Sequence, residues 1–316
     1  MTAVHVPVLL EETILYLAPR SDGELMVDAT QGEGGHSYAF LSRFPTLRVV
    51  GIDADKAIQE KARERLQEFE DRITFYNGWS HDYFAALGAV EKPDTILIDL
   101  GVSMYHYEES GRGFSFRKDE PLDMRIDISS GDTAADLIAR LPEKELADLI
   151  YNNAEERYSR RIARAIVETR SQGAITGSAA LAEIVSRAVP AEYRRGRAHP
   201  ATKTFQALRI AVNGELGRLL ELLESALNSL KVGGRMGVIS FHSLEDRKVK
   251  NFFREKNKEC TCPPETPICR CTGHRFVNLL TRKAVAPDQE EARKNPASRS
   301  AKLRVVEKIF NEDGQP

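Results

Sequence analysis

The sequence predicts an α/β fold, a doubly wound and mostly parallel sheet interrupted by an all-helical insertion. Three observations carry that prediction. The first hundred residues alternate short apolar runs with amphipathic stretches, the alternation stops after Asp99 for about a hundred residues of helical periodicity, and it then resumes. At roughly 150 residues per domain, 316 residues suggest two domains. A composition of 41% hydrophobic and 29% charged residues is ordinary for a globular chain and excludes disordered and fibrous classes.

Residues 25–28 read as a short buried strand and 37–44 as a helix. A strand at 48–53, an amphipathic helix at 54–69 and strands at 72–76 and 95–99 follow. Helical periodicity then covers 132–141, 142–152, 155–170 and 178–189, with Thr133 and Ser178 as caps. A long amphipathic helix at 213–230, a Val-Gly-Gly turn and a strand at 235–241 restore the sheet pattern, and 275–280 and 303–309 supply two last strands. Connections inside such sheets are normally short, so the helical block reads as a domain built into another. The expected division is a sheet domain at 1–110 and 199–316, with an inserted helical domain at 111–198.

The longest apolar runs, such as 6–10 and 96–98, are far below the ~18 residues of a membrane-spanning helix. The first residues lack a basic segment before an apolar one and meet acid at Glu11, so neither export nor a membrane is expected and the location expected is cytoplasmic. Net charge is −2, yet it is unevenly spread. Residues 151–209 carry eleven Lys or Arg against five Asp or Glu, and 281–304 carry seven against three. Two basic zones in an acidic body point to a polyanionic partner, set against the commoner reading of a solvated helix face. All four cysteines fall in twelve residues, Cys260, Cys262, Cys269 and Cys271. Their two C-x-C pairs suit either a tetrahedral zinc or a compact proline-fixed loop of reduced thiols, and the second reading, with no metal, is preferred.

The chemistry-bearing segment is Asp28-Ala-Thr-Gln-Gly32-Glu-Gly34-Gly35-His36-Ser37, which leaves a strand and opens a helix. Glycines there let a ligand approach the backbone, and a helix start offers free N–H donors. Asp53 ends the second strand, twenty-one residues after Gly32, where a carboxylate accepts from both hydroxyls of a ribose. Dinucleotide sites prefer Gly or Ala where Ser37 stands, and Asp28 would repel a pyrophosphate while holding a cationic amino-acid group. S-adenosylmethionine is therefore favoured over a nicotinamide cofactor. Trp79 follows the third strand, where an indole can meet an adenine or simply anchor a core. Asp99, ending the fourth strand beside the first, can touch cofactor or substrate, or cap the next turn.

These segments resemble the bacterial 16S rRNA cytosine-N4-methyltransferases over nearly the whole chain. The resemblance runs from His5-Val-Pro-Val-Leu-Leu-Glu11 through Asp99-Leu-Gly-Val-Ser103, Arg112-Gly-Phe-Ser-Phe116, Pro121-Leu-Asp-Met-Arg125 and Glu155-Glu-Arg157. It continues through the long run from His199 to Asn213 and through Ile239-Ser-Phe-His-Ser-Leu-Glu-Asp-Arg247, and it ends at Arg304. It implies a Rossmann-like methyltransferase sheet with S-adenosylmethionine as cofactor, and a cytidine of the decoding region as substrate. The partner it implies is 16S rRNA within the small ribosomal subunit, with no DNA. Carried over by position, the cofactor contacts are Gly34, Gly35, His36, Asp53, Trp79, Asp99 and His106. Trp79 stands where the family usually has Phe, and Ser103-Met104-Tyr105-His106 departs from a usual second Ser and Gln, which makes His106 the weakest match.

Positioning and electrostatics carry most of such a methyl transfer, with Asp99, or a neighbouring carbonyl, the candidate to accept an amino hydrogen, set against Asp99 serving the cofactor alone. Arg157, Arg160, Arg161 and Arg164 recur at one-face helical spacing as candidate RNA contacts, continued by Arg194, Arg195 and Arg197, and Phe205 is a candidate for stacking on a displaced base, set against the commoner reading of a core residue on an amphipathic helix. Two other classes compete. A ribosome-assembly factor without catalysis is opposed by the intact glycines and carboxylates of the loop, and a nicotinamide oxidoreductase by Ser37 and the basic insertion.

Overall fold

The computed structural model describes residues 7–87, 91–196, 198–259 and 274–311. The four cysteines, Arg197 and His5 lie outside the described residues. The chain divides into two units, one made of residues 1–101 and 218–316 and the other of 102–217. The division expected from the pattern was 110/111 and 198/199, so the second unit also takes the chain on either side of the expected block.

The first unit opens with α1 (Leu10–Leu17) and β1 (Leu25–Asp28), followed by α2 (Gly35–Arg43), β2 (Arg48–Asp53) and α3 (Lys56–Arg65). It continues with β3 (Ile73–Asn77), α4 (Ser80–Ala86) and β4 (Thr95–Asp99). In the second unit are α5 (Met104–Glu108), α6 (Ala134–Arg140), α7 (Glu143–Ala154), α8 (Ser159–Arg170), α9 (Ser178–Ala188), α10 (Ala191–Arg194) and α11 (Thr202–Asn213). The chain returns through α12 (Glu215–Ser229) to β5 (Arg235–Ser240), α13 (Ser243–Lys256), β6 (Val277–Leu279), α14 (Gln289–Lys294) and β7 (Lys302–Lys308).

The seven strands run β3-β2-β1-β4-β5-β7-β6, and β1 to β5 are parallel while β7 pairs antiparallel with both neighbours. The order reverses between β1 and β4, the switch point at which open α/β sheets bind ligands. Both faces are buried, which is why the strands read as continuous apolar runs. Met26 and Leu97 face a core closed by α1, α2 and α3, while Val27, Ile96 and Ile98 face one closed by α4, α12 and α13. In the second unit, Leu146, Ile150, Ile162, Ile166, Leu181 and Leu208 make a separate helical core.

Several boundaries moved for local reasons. The helix expected at 155–170 starts at Ser159, because Glu155 adopts the left-handed conformation (φ 49°) and ends α7. The helix expected from residue 213 starts at Glu215, since Gly214 (φ 61°) closes α11, and a left-handed residue of this kind is the usual way a helix stops. Thr133 caps α6 in a reciprocal capping box with Asp136. Ser178 does not cap α9; it lies just inside the helix, where its buried hydroxyl donates to the Lys118 carbonyl and accepts from the Glu120 N–H.

Candidate active site

Four parallel strands deliver their last residues to one edge of the sheet. The turn after β1 begins with Asp28, which is almost fully buried and accepts a 2.7 Å hydrogen bond from the Ser37 hydroxyl. That bond explains why Ser stands where a dinucleotide site would have Gly or Ala: it holds a buried carboxylate. Gln31 threads between the same hydroxyl (3.4 Å) and β2, and its amide fills the space that a Cβ on Gly51 would need. Gly34, at φ 76°, is the left-handed residue before α2, and a Cβ there would meet Leu66 at 2.8 Å. The loop therefore requires glycine for backbone conformation and for space at once.

Asp53 ends β2 and organises the loop. One of its carboxylate oxygens accepts from the Gly32 N–H at 2.8 Å and the other from the Asp55 N–H at 2.8 Å. A carboxylate offers about four acceptor sites, so two amide bonds fix its orientation without exhausting its capacity to accept from a diol. Trp79 precedes α4, half-buried, and the Arg218 guanidinium lies 4.5 Å from its ring centroid. The Ser80 hydroxyl, next in sequence, donates to the Ala29 carbonyl and ties α4 to the end of β1.

Asp99 ends β4, and its N–H donates to the Thr30 hydroxyl at 2.6 Å. Its Oδ1 is buried and has no hydrogen-bond partner among the described residues, and its Oδ2 lies 3.7 Å from His36 Nε2. Burial pushes the His36 pKa down to about 4, against a raising contribution from the Val8 backbone, so the imidazole is neutral at pH 7 and the contact is no ion pair. Burial also holds the Asp99 carboxyl well above its usual range, with Asp28 and Glu245 adding repulsion. Asp28 is raised to about 6, again chiefly by burial, despite the Ser37 hydrogen bond that favours its charged form. Several carboxylates thus stand in one low-dielectric pocket with too little positive charge. A cationic ligand relieves that repulsion, and S-adenosylmethionine, with a sulfonium and an ammonium beside a ribose, matches the donor set. An anionic pyrophosphate does not.

Gly34, Gly35, His36, Asp53, Trp79 and Asp99 all belong to the first unit and come together at the carboxyl ends of its strands. His106 belongs to the second unit, buried on α5 with its ring 5.0 Å from that of Phe114. Sequence reasoning did not single out Gln31, Thr30, His242 and Glu245. Glu245 is buried at the start of α13, where its side chain and that of His242 form a capping box that closes the end of β5. A Gly inside a strand, Gly51, was the signal available for Gln31.

The arginine group divides. Arg157 lies before α8, so it leaves the expected helical face, and its guanidinium stacks 4.8 Å from Tyr158 and 5.0 Å from Tyr193. Tyr193 in turn donates at 2.6 Å to the fully buried Glu156. Arg160, Arg161 and Arg164 are exposed on α8, with Arg164 only 3.5 Å from Glu143. Phe205 requires correction as a stacking candidate: it is 4% exposed in the helical core, its ring edge-on to Phe116 at 5.1 Å, and a ring already enclosed has no free face. Phe116, half-buried, carries the exposed His199 ring at 4.4 Å.

A doubly wound sheet, a glycine loop over a ribose-type carboxylate and an acidic pocket suited to a cationic nucleoside define the class as a Rossmann-like methyltransferase. The chain belongs to the MraW methylase family, whose model matches residues 2–309. It is 55% identical over 310 residues to a ribosomal RNA small subunit methyltransferase H of Treponema denticola, covering 98% of each chain. The protein of that name in Treponema pallidum is 43% identical, covering 96% of this chain and 92% of its own, and that in Syntrophobacter fumaroxidans 48%, covering 96% of each. No described helix is long and apolar enough to cross a membrane.

Proposed function

We propose that this protein transfers a methyl group from S-adenosylmethionine to the exocyclic N4 of a cytidine in the decoding region of 16S rRNA, acting on the small ribosomal subunit in the cytoplasm. The observation that carries the reading is Asp99: a buried carboxylate oxygen with no hydrogen-bond partner among the described residues, on a group raised in pKa, beside a neutral imidazole and at the switch point of the sheet. The names of the relatives support ribosomal RNA of the small subunit as substrate.

Asp53 would hold the ribose, Gly34 and Gly35 would let the cofactor approach the backbone, and Trp79 would offer adenine the ring face that Arg218 does not cover. S-adenosylmethionine, when bound, supplies an electrophilic methyl on a sulfonium. Cytosine's amine has its lone pair delocalised into the ring. Asp99 accepts one amino hydrogen, which makes the nitrogen more tetrahedral and frees its lone pair along the line of transfer. When that methyl is taken up, the amine would have a surplus proton to lose, and Asp99, whose pKa is raised, would be placed to receive it. His36, being neutral, orients without competing for that proton. Arg160, Arg161 and Arg164 would hold RNA phosphates, while Arg157 keeps the Tyr158 and Tyr193 rings in order.

The test is to incubate small subunits from a strain lacking this protein with labelled S-adenosylmethionine and to digest the RNA to nucleosides. Label in N4-methylcytidine is expected. Label in another nucleoside overturns the assignment, and tight subunit binding without any label favours an assembly factor.

A further inference from the structure

A cavity of about 250 Å³ opens in the sheet unit where α13, β7 and the turn after β6 meet. Its floor is apolar, Phe253 and Leu279, and its walls carry four cations: Lys250 and Arg254 from α13, Arg282 from the turn and Arg304 from β7. Arg304 is set in place by Asp246, which accepts from its Nε at 2.7 Å and also takes Lys302 at 3.1 Å. No described residue takes the two Nη amines of Arg304 in a hydrogen bond, and Lys250, Arg254 and Arg282 have no ion pair among the described residues. Like charges collected around a concavity repel one another, so the arrangement is more stable with an anion inside it. A guanidinium anchored through Nε and presenting both Nη groups is suited to two parallel hydrogen bonds with phosphate oxygens.

Asp99 is level with Ile239 on β5, and Ile239 with Leu303 on β7, the residue before Arg304. Two strand spacings of about 4.8 Å separate Leu303 from Asp99, and Arg304, one residue on, turns to the other face of the sheet with Val306, toward α13, whereas Ile239 and Leu303 lie in the core closed by α1 and α2. We propose that this cavity holds a backbone phosphate of the RNA strand, on a stretch that passes over the α13 face of the sheet and is separate from the nucleotide whose base reaches Asp99. The proposal rests on the reading that RNA is the substrate. It gives the second basic zone of the sequence, residues 281–304, a task separate from that of the arginines on α8.

The test compares the parent with the full-length variant K250Q/R254Q/R282Q, and with R282Q alone because Arg282 is exposed, where substitutions usually cost little stability. Small-subunit RNA binding is measured by filter retention across a salt series, alongside calorimetry with S-adenosylmethionine and a thermal melt. The expected result is RNA affinity lower by about tenfold in the triple variant, a log–log salt slope flatter by about 0.7, a smaller change of the same sign in R282Q, and unchanged cofactor affinity. RNA isotherms and slope matching the parent would overturn it, as would loss of binding to inorganic phosphate or to anionic lipid vesicles without any loss of RNA affinity. Failure of the RNA-methylation reading shows separately, as parent protein that leaves the RNA unlabelled.

Discussion

The cleft at the strand ends and the arginine face of α8 are built on opposite physics. In the cleft, Asp28, Asp99 and Glu245 sit in low dielectric, each held by the chain around it, and electrostatic energy is stored there until a cation enters. On α8, Arg160, Arg161 and Arg164 are exposed to water and screened by it, and charges of that kind gain most against a dense line of phosphates. On the proposed reading, the contrast teaches that burial would serve affinity and orientation toward a small cofactor, and exposure would serve steering toward a large anion. A substitution in either region should therefore leave the other region's observable untouched.

The largest effect should come from Asp99→Asn. It keeps the shape but cannot take the proton, so single-turnover methyl transfer should fall by about two to three orders of magnitude, while RNA affinity and its salt dependence stay as in the parent. Parent-like turnover would remove Asp99 from the chemistry and leave it as a cofactor ligand. Next is the pH dependence of stability without cofactor. Asp28 has a folded pKa of about 6 against an ordinary 3.8, so the folded chain binds the extra proton between those values. The stability this group contributes is present at the acid end and is lost as pH rises through 6, by up to about 1.4 kcal/mol per pH unit. Urea unfolding at a series of pH values should show that loss, and Asp28→Asn should flatten it.

A smaller change is expected for Asp53→Ala. It removes a charge-assisted acceptor for two hydroxyls, so calorimetry should give at least a tenfold weaker S-adenosylmethionine affinity, in line with about 1.5 to 3 kcal/mol for such bonds. Unchanged affinity would reject the ribose assignment. Smallest of all, Arg160→Gln with Arg161→Gln should flatten the salt slope of RNA binding by roughly 0.7 to 0.9 for each phosphate no longer neutralised, without moving cofactor affinity. A slope equal to the parent's would make that face solvated surface and nothing more.

What the sequence determined by itself was whatever depends on near neighbours. Strand and helix alternation, the loop from Asp28 to Ser37 and the aspartates ending β2 and β4 are local patterns whose spacing already dictates which side chains reach one edge of a parallel sheet. Only the tertiary structure decided which charges are buried and who answers them. Ser37 locks Asp28, Glu245 arrives from a helix far along the chain to raise Asp99, and Arg304 meets Lys250 across a cavity. The same limit explains Phe205 and Arg157, for helical periodicity names a face but not what covers it, and Glu155 in a left-handed turn took Arg157 off the helix altogether. A residue's dielectric surroundings are set by every segment that packs on it, and that sum over distant neighbours is not written in any window of the sequence.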